Sequence, residues 1–121
     1  MARLENTTIH LNRGDELNIK MNSQVGFEIG DTFKFSIMKK NNCEEVLLQK
    51  QFIVENAGTS FEIQLTSEET RIGSPLKTGS VTYWYEIEYN GSNTILGCDK
   101  DGGKELILYP EAATKKTEET E

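Results

Sequence analysis

The stretch from Gly79 to Tyr89 limits what this chain can become more than any other. Taken two by two, Val81, Tyr83, Tyr85, Ile87 and Tyr89 fall on one side of an extended segment, and Thr82, Trp84, Glu86 and Glu88 fall on the other. A period of two marks a strand with one buried face, and β-branched and aromatic residues suit that pleated surface. Asn90-Gly91 follows at once, so the segment predicts a strand running into a hairpin. Such a strand needs other alternating segments to cover it.

The rest of the chain supplies them. Thr7 to Leu11 turns Ile9 and Leu11 inward before the turn residues Asn12-Arg13-Gly14-Asp15. Glu16 to Asn22 places Leu17, Ile19 and Met21 on one face, and Thr32 to Lys39 does the same with Phe33, Phe35 and Ile37. Between them, Ser23 to Asp31 reads as a loop that tucks Val25, Phe27 and Ile29 under a sheet edge. In Val46 to Val54 the alternation is imperfect, because Lys50 shares a face with Val46, Leu48, Phe52 and Val54; a bulge or an edge position accounts for that. Ser60 to Leu65, Asn93 to Leu96 and Lys104 to Tyr109 complete the set, the last closed by Pro110. Thr66-Ser67-Glu68-Glu69 predicts a single helical turn near residues 67 to 72, with a capping residue followed by acids and a stop at Gly73-Ser74-Pro75.

Eight short strands at roughly ten-residue spacing predict an all-β, immunoglobulin-like Greek-key sandwich with one short helical turn. A corner tyrosine, Tyr83 or Tyr85, is expected to hydrogen-bond back to the loop before its strand. The sandwich is placed in residues 1–111. Residues 112–121, polar and charged, are expected to be a disordered tail, because they carry no apolar residue beyond alanine to offset the entropy of ordering.

At 121 residues the chain suits one domain, and a formal charge of −7 opposes a phosphate backbone or an anionic membrane at first approach. No nucleic acid and no membrane partner is expected. The N-terminus carries no apolar run of signal-peptide type, which predicts residence in a cytoplasm. Cys43 and Cys98 are far apart and not in metal-type spacing, so both are expected to be reduced thiols. The glycosylation-type matches at Asn6 and Asn90 then carry no meaning.

Catalysis needs a constellation of groups, and none shows. His10, the one histidine, falls on the outer face of an end strand and reads as a solvated residue rather than a general base. Asp99-Lys100-Asp101-Gly102-Gly103 resembles the start of a calcium loop, but Leu106, Ile107 and Leu108 stand where later ligands belong, so a hairpin turn is the better reading. Glu86 and Glu88 are paired at strand spacing and read as a solvated face rather than a glycosidase pair. Catalytic, metal-binding and cofactor-binding residues are all expected to be absent. Trp84 stands apart: an indole on the polar face of a strand either meets a partner or is covered by its own chain. The interface candidates are Trp84, Glu86 and Tyr89 of the central strand, with Leu47 and Gln49 of the imperfect one.

Arg13-Gly14-Asp15 before a strand, Gly30-Asp31-Thr32-Phe33-Lys34-Phe35, Leu65-Thr66-Ser67-Glu68-Glu69-Thr70, Tyr83-Trp84-Tyr85-Glu86-Ile87-Glu88 and the return Thr94-Ile95-Leu96-Gly97-Cys98 together resemble virion proteins of tailed phages and prophages of Gram-positive bacteria. Within these the likeness is to the immunoglobulin-like N-terminal domain of baseplate upper proteins, and it covers residues 6 to 110. The resemblance implies a non-enzymatic docking or accessory module of a tail baseplate, or of a capsid as fibre or decoration. Its partners would be other virion proteins, it would oligomerise in the assembly, and it would reside in the virion after assembly in the host cytoplasm. Longer members continue into receptor-binding parts, whereas the acidic tail of this sequence fits a free-standing accessory. A second class, a carbohydrate-binding module, would use Trp84 and Tyr89 as stacking platforms.

Overall fold

The alternating segments form strands that assort into two sheets. The computed structural model describes residues 2–5, 7–91, 93–96 and 104–111. Its strands are β1 (Ala2–Glu5), β2 (Thr8–Asn12), β3 (Leu17–Phe27), β4 (Thr32–Met38), β5 (Val46–Ile53), β6 (Gly58–Leu65), β7 (Val81–Tyr89), β8 (Asn93–Leu96) and β9 (Lys104–Tyr109). The larger, seven-stranded sheet is ordered β1-β2-β9-β7-β4-β5, with β8 also on β7; β3 and β6 make the smaller one. Every pair is antiparallel except β2 with β9, which run parallel with Ile9 opposite Leu106 and Asn12 opposite Tyr109.

β7 is the organising strand because it pairs with three others. β4 lies along one side from Trp84 to Tyr89; on the other, β9 pairs with Val81 to Tyr85 and β8 with Ile87 to Tyr89. Its inward residues Tyr83, Tyr85 and Ile87 are buried, and so are Phe33, Phe35 and Ile37 of β4, Ile9 and Leu11 of β2, and Leu106 and Leu108 of β9. Leu17 and Ile19 of β3 and Ile63 and Leu65 of β6 join them in one core cluster, so the two sheets pack face to face as a sandwich. Phe33 stacks on Phe61 across the gap at 5.0 Å, and Phe27 meets Phe33 edge-on at 5.3 Å. The expected hairpin after β7 is present, with Asn90 (φ 52°) and Gly91 (φ 70°) both in left-handed backbone. Asn90 also exchanges two 2.8 Å hydrogen bonds with the Thr32 backbone, which ties that turn to the start of β4.

β5 explains the imperfect alternation on both of the suggested grounds. It is an edge strand, and its register against β4 shifts at Met38 and Val46. Lys50 points to the sandwich side and spans to the other sheet: its ammonium lies 2.8 Å from Glu69 Oε1, donates to the Gln64 carbonyl at 3.2 Å, and sits 5.2 Å from the centre of the Phe52 ring. An inward lysine of this kind discourages edge-to-edge pairing along the strand.

Other expectations are corrected. The helical turn near residues 67 to 72 does not form; the chain makes successive turns there. Thr66 and Glu69 do cap one another reciprocally, at 2.8 Å and 3.2 Å, and Thr70 N–H reaches the Thr66 carbonyl at 3.1 Å. The turn goes no further because the Thr70 hydroxyl donates to the Asp15 carbonyl at 2.7 Å, Ile72 inserts into the core, and Gly73 takes φ 65°. Too few residues then remain to offset the cost of helix nucleation. The loop expected from Ser23 to Asp31 is largely strand, since β3 runs on to Phe27; of its apolar residues only Phe27 is buried, while Val25 is 96% and Ile29 73% exposed. β1 adds a strand to the eight expected.

Cys43 is disulfide-bonded, not a reduced thiol. The only other cysteine in the sequence, Cys98, lies outside the described residues, together with the Asp99 to Gly103 turn and residues 112–121. A disulfide removes the cysteine argument for lasting residence in a reducing cytoplasm.

A buried ionic cluster closes one end of the sandwich. Glu111 accepts from Arg13 Nη1 at 3.2 Å and from Arg71 Nε and Nη2 at 3.3 Å each. Arg13 also donates to the carbonyls of Arg71 and Ile72, both at 3.3 Å. Gly14 permits this approach: it takes φ 85°, and a Cβ there would lie 3.0 Å from the Glu111 carboxyl carbon.

Candidate interaction surface

The outward face of the larger sheet carries most of the candidate residues, because alternation that buries Phe35 and Tyr85 must present Ser36 and Trp84 on the other side. Register brings Gln49 of β5, Ser36 of β4 and Glu86 of β7 into one row, and Met38, Trp84 and Glu105 of β9 into the next. Gln49 Nε2 donates to the Ser36 hydroxyl at 3.1 Å. Leu47 projects from the same strand just beyond the bulge and is 38% exposed. Farther along the face, Lys34 pairs with Glu88 at 3.2 Å across β4 and β7.

Trp84 is half-buried, between the two positions that its sequence context allows. Its register partner Met38 is only 2% exposed yet stands outside the cluster that joins the sheets. This face therefore has a small apolar layer of its own. Met38 escaped sequence reasoning; the available signal was an apolar residue on the polar side of an otherwise clean alternation.

Tyr89 does not belong with Trp84. It faces the sandwich interior, tilted against Phe33 at 5.1 Å and edge-on to Phe27 at 6.0 Å, and its hydroxyl donates to Asp31. The two rings lie on opposite faces and cannot form one stacking platform. The Asp31–Tyr89 bond lowers the carboxyl pKa of Asp31, helped by the Glu28 N–H, and raises that of the Tyr89 phenol. Burial alone pushes Tyr85 up to about 12. Its hydroxyl donates to the Thr7 carbonyl, so it anchors the entry to β2 and not the loop preceding its own strand. Tyr83 packs against the loop before its strand: a Cβ at Gly73 would come within 2.0 Å of its hydroxyl oxygen.

His10 lies on the outward face as expected but is not merely solvated. Its ring is half-buried, stacked on Tyr109 at 6.0 Å, with Nδ1 2.8 Å from the Tyr109 hydroxyl. Among the described residues no three His, Cys, Asp or Glu side chains are grouped to hold a metal ion, and no helix is long and apolar enough to cross a membrane. No family model, no curated protein and no solved structure matches the chain.

Proposed function

We propose that the chain is a non-enzymatic structural protein of a tailed-phage virion, docking as an accessory on a tail baseplate or on a capsid as fibre or decoration, and oligomerising there. The finer fold that goes with this reading is an immunoglobulin-like Greek key. Sheet order supports it: β4, β7 and β9 stand to β3 and β6 as strands C, F and G stand to B and E in such domains. The observation that carries the functional reading is the outward face of the larger sheet, where a half-buried Trp84 lies in register with a buried Met38 and beside the row of Glu86, Ser36 and Gln49. An aromatic anchor in a polar surround on an exposed sheet face suits recognition of another protein surface. The disulfide at Cys43 fits a protein that leaves the cytoplasm with the particle.

The test is made on particles. Virions from the source culture, banded on a density gradient and digested for mass spectrometry, should contain the chain in fixed ratio to the major capsid protein. Abundance in the lysate with absence from banded particles overturns the reading.

A further inference from the structure

The face around Trp84 is not the only surface suited to a partner. Beside the first residues of β5 lies a cleft of about 240 Å³, lined by Leu47, Leu76, Val81 and Tyr83 together with Gly73, Ser74 and Lys39. Leu47 and its neighbour Val46 are both exposed, at 38% and 52%. Among the described residues, no strand pairs with the outer edge of β5. Lys50 guards the middle of that edge by turning its charge inward to Glu69 and the Gln64 carbonyl, which leaves the Val46–Leu48 end as the unguarded part.

Charge singles out the occupant. The chain carries −7 overall, yet the one charged residue lining this cleft is a lysine. Neighbouring Lys40 is paired with Glu45 at 3.1 Å and Lys50 with Glu69 at 2.8 Å, whereas Lys39 has no ion pair among the described residues. An apolar cleft next to a free strand edge is the geometry of strand addition, in which backbone hydrogen bonds supply affinity and a side-chain pocket supplies selectivity.

We propose that the start of β5 is a docking edge for an extended segment of another protein, one that places an aliphatic side chain in the cleft and a neighbouring carboxylate on Lys39. This rests on the reading of the chain as a docking module and names the chemistry of the segment it takes. The added strand lies along Val46 to Leu48, and the Lys50 strut ends it before Phe52.

The probe is a capped peptide, acetyl-Thr-Val-Glu-Leu-Thr-Val-amide, titrated into the full-length ¹⁵N-labelled protein, with a second peptide in which lysine replaces the glutamate. Saturable amide shifts should centre on Val46, Leu47, Leu48, Lys39 and Leu76. Lys39→Glu should weaken the acidic peptide and strengthen the basic one by about two- to fivefold each, the weight of one solvent-exposed ion pair. Leu76→Asp, in a half-buried loop position, should abolish the shifts while leaving the melting temperature in place. If Leu76→Asp fails to fold, the charge reversal at Lys39 decides alone. Shifts centred on Trp84, no saturable shift at about millimolar peptide, or equal binding of the two peptides each overturn the proposal. So does sedimentation showing self-association through β5 that the peptide does not compete, since the occupant is then a second copy. Failure here leaves the particle measurement untouched, so the two readings fall separately.

Discussion

Replacing Glu111 by glutamine keeps the size of the side chain and removes its charge from between two guanidinium groups. Arg13 and Glu111 are 8% and 6% exposed, so the charge left on Arg13 would be stranded away from water. Removing one partner of a buried pair costs about 3–5 kcal/mol. The lower end applies here, about 3 kcal/mol, because Arg13 keeps the carbonyls of Arg71 and Ile72 as acceptors. Urea unfolding of the full-length protein reads this directly: with a slope near 1.5 kcal/mol per molar, the midpoint should fall by about 2 M. Arg71→Ala is the internal control. Its side chain is 25% exposed against 10% for Arg13, so its loss should cost about 1 kcal/mol or less. The same logic separates two truncations. A chain ending at Ala112 should melt like the full-length protein, while one ending at Pro110 should lose at least what Glu111→Gln loses. A Glu111→Gln midpoint within about 0.5 kcal/mol of the parent, the range of an ordinary surface change, would refute the account of this cluster.

Gly73→Ala forces a side chain into left-handed backbone and to within 2.0 Å of the Tyr83 hydroxyl oxygen; thermal melting should show a loss of about 2 kcal/mol or more, and an unchanged melting temperature counts against that packing. Asp31 is held below its usual 3.8 by the Tyr89 hydroxyl and the Glu28 N–H; Glu69 is raised by burial but held below 4.5 overall by Lys50 and Thr66. A depressed folded-state pKa gives stability that is full above the unfolded value and lost as pH falls through the folded one. Acid titration should therefore be flat from neutrality to about pH 4.5 and fall below it, and the double variant Asp31→Asn, Glu69→Gln should flatten that fall. Tyr85 runs the other way. Its pKa, raised from 10.0 to about 12, means a contribution present below pH 10 and lost as pH rises toward 12, so absorbance titration should find its ionisation coincident with alkaline unfolding. Trp84→Ala uncovers Met38 and should cost about 1–2 kcal/mol, short of the 3–5 kcal/mol of a fully buried ring; a larger loss in urea would mean that the indole is a core residue and not a docking one.

Alternation made most strands readable, because each has one face in the core and the period of two survives single exceptions. β4, β6 and β9 lie within about two residues of their expected bounds, as does the turn at Asn90-Gly91. Lys50 even signalled the edge position of β5. Neighbour order was not readable, since alternation says which side of a strand is buried and not which strand lies beside it. The Arg13–Glu111 pair joins positions 98 residues apart and exists only because β2 and β9 run parallel, which sets Asn12 opposite Tyr109. Thr66 acts as the capping residue that its context suggests, but no helical turn follows, because the Thr70 anchor to Asp15 is a tertiary contact that the local sequence does not carry.

The placement of β9 between β2 and β7 also sets an order of events during synthesis. Among the described residues β2 has β9 as its only neighbour in the sheet besides β1, and β9 leaves the ribosome after every other described strand. The β1–β2 hairpin therefore lacks this sheet partner while about 90 residues are made, and a nascent chain halted before Lys104 leaves open the edges of β2 and β7 that β9 occupies. Translation rate and chaperone supply should then bear on the yield of this protein.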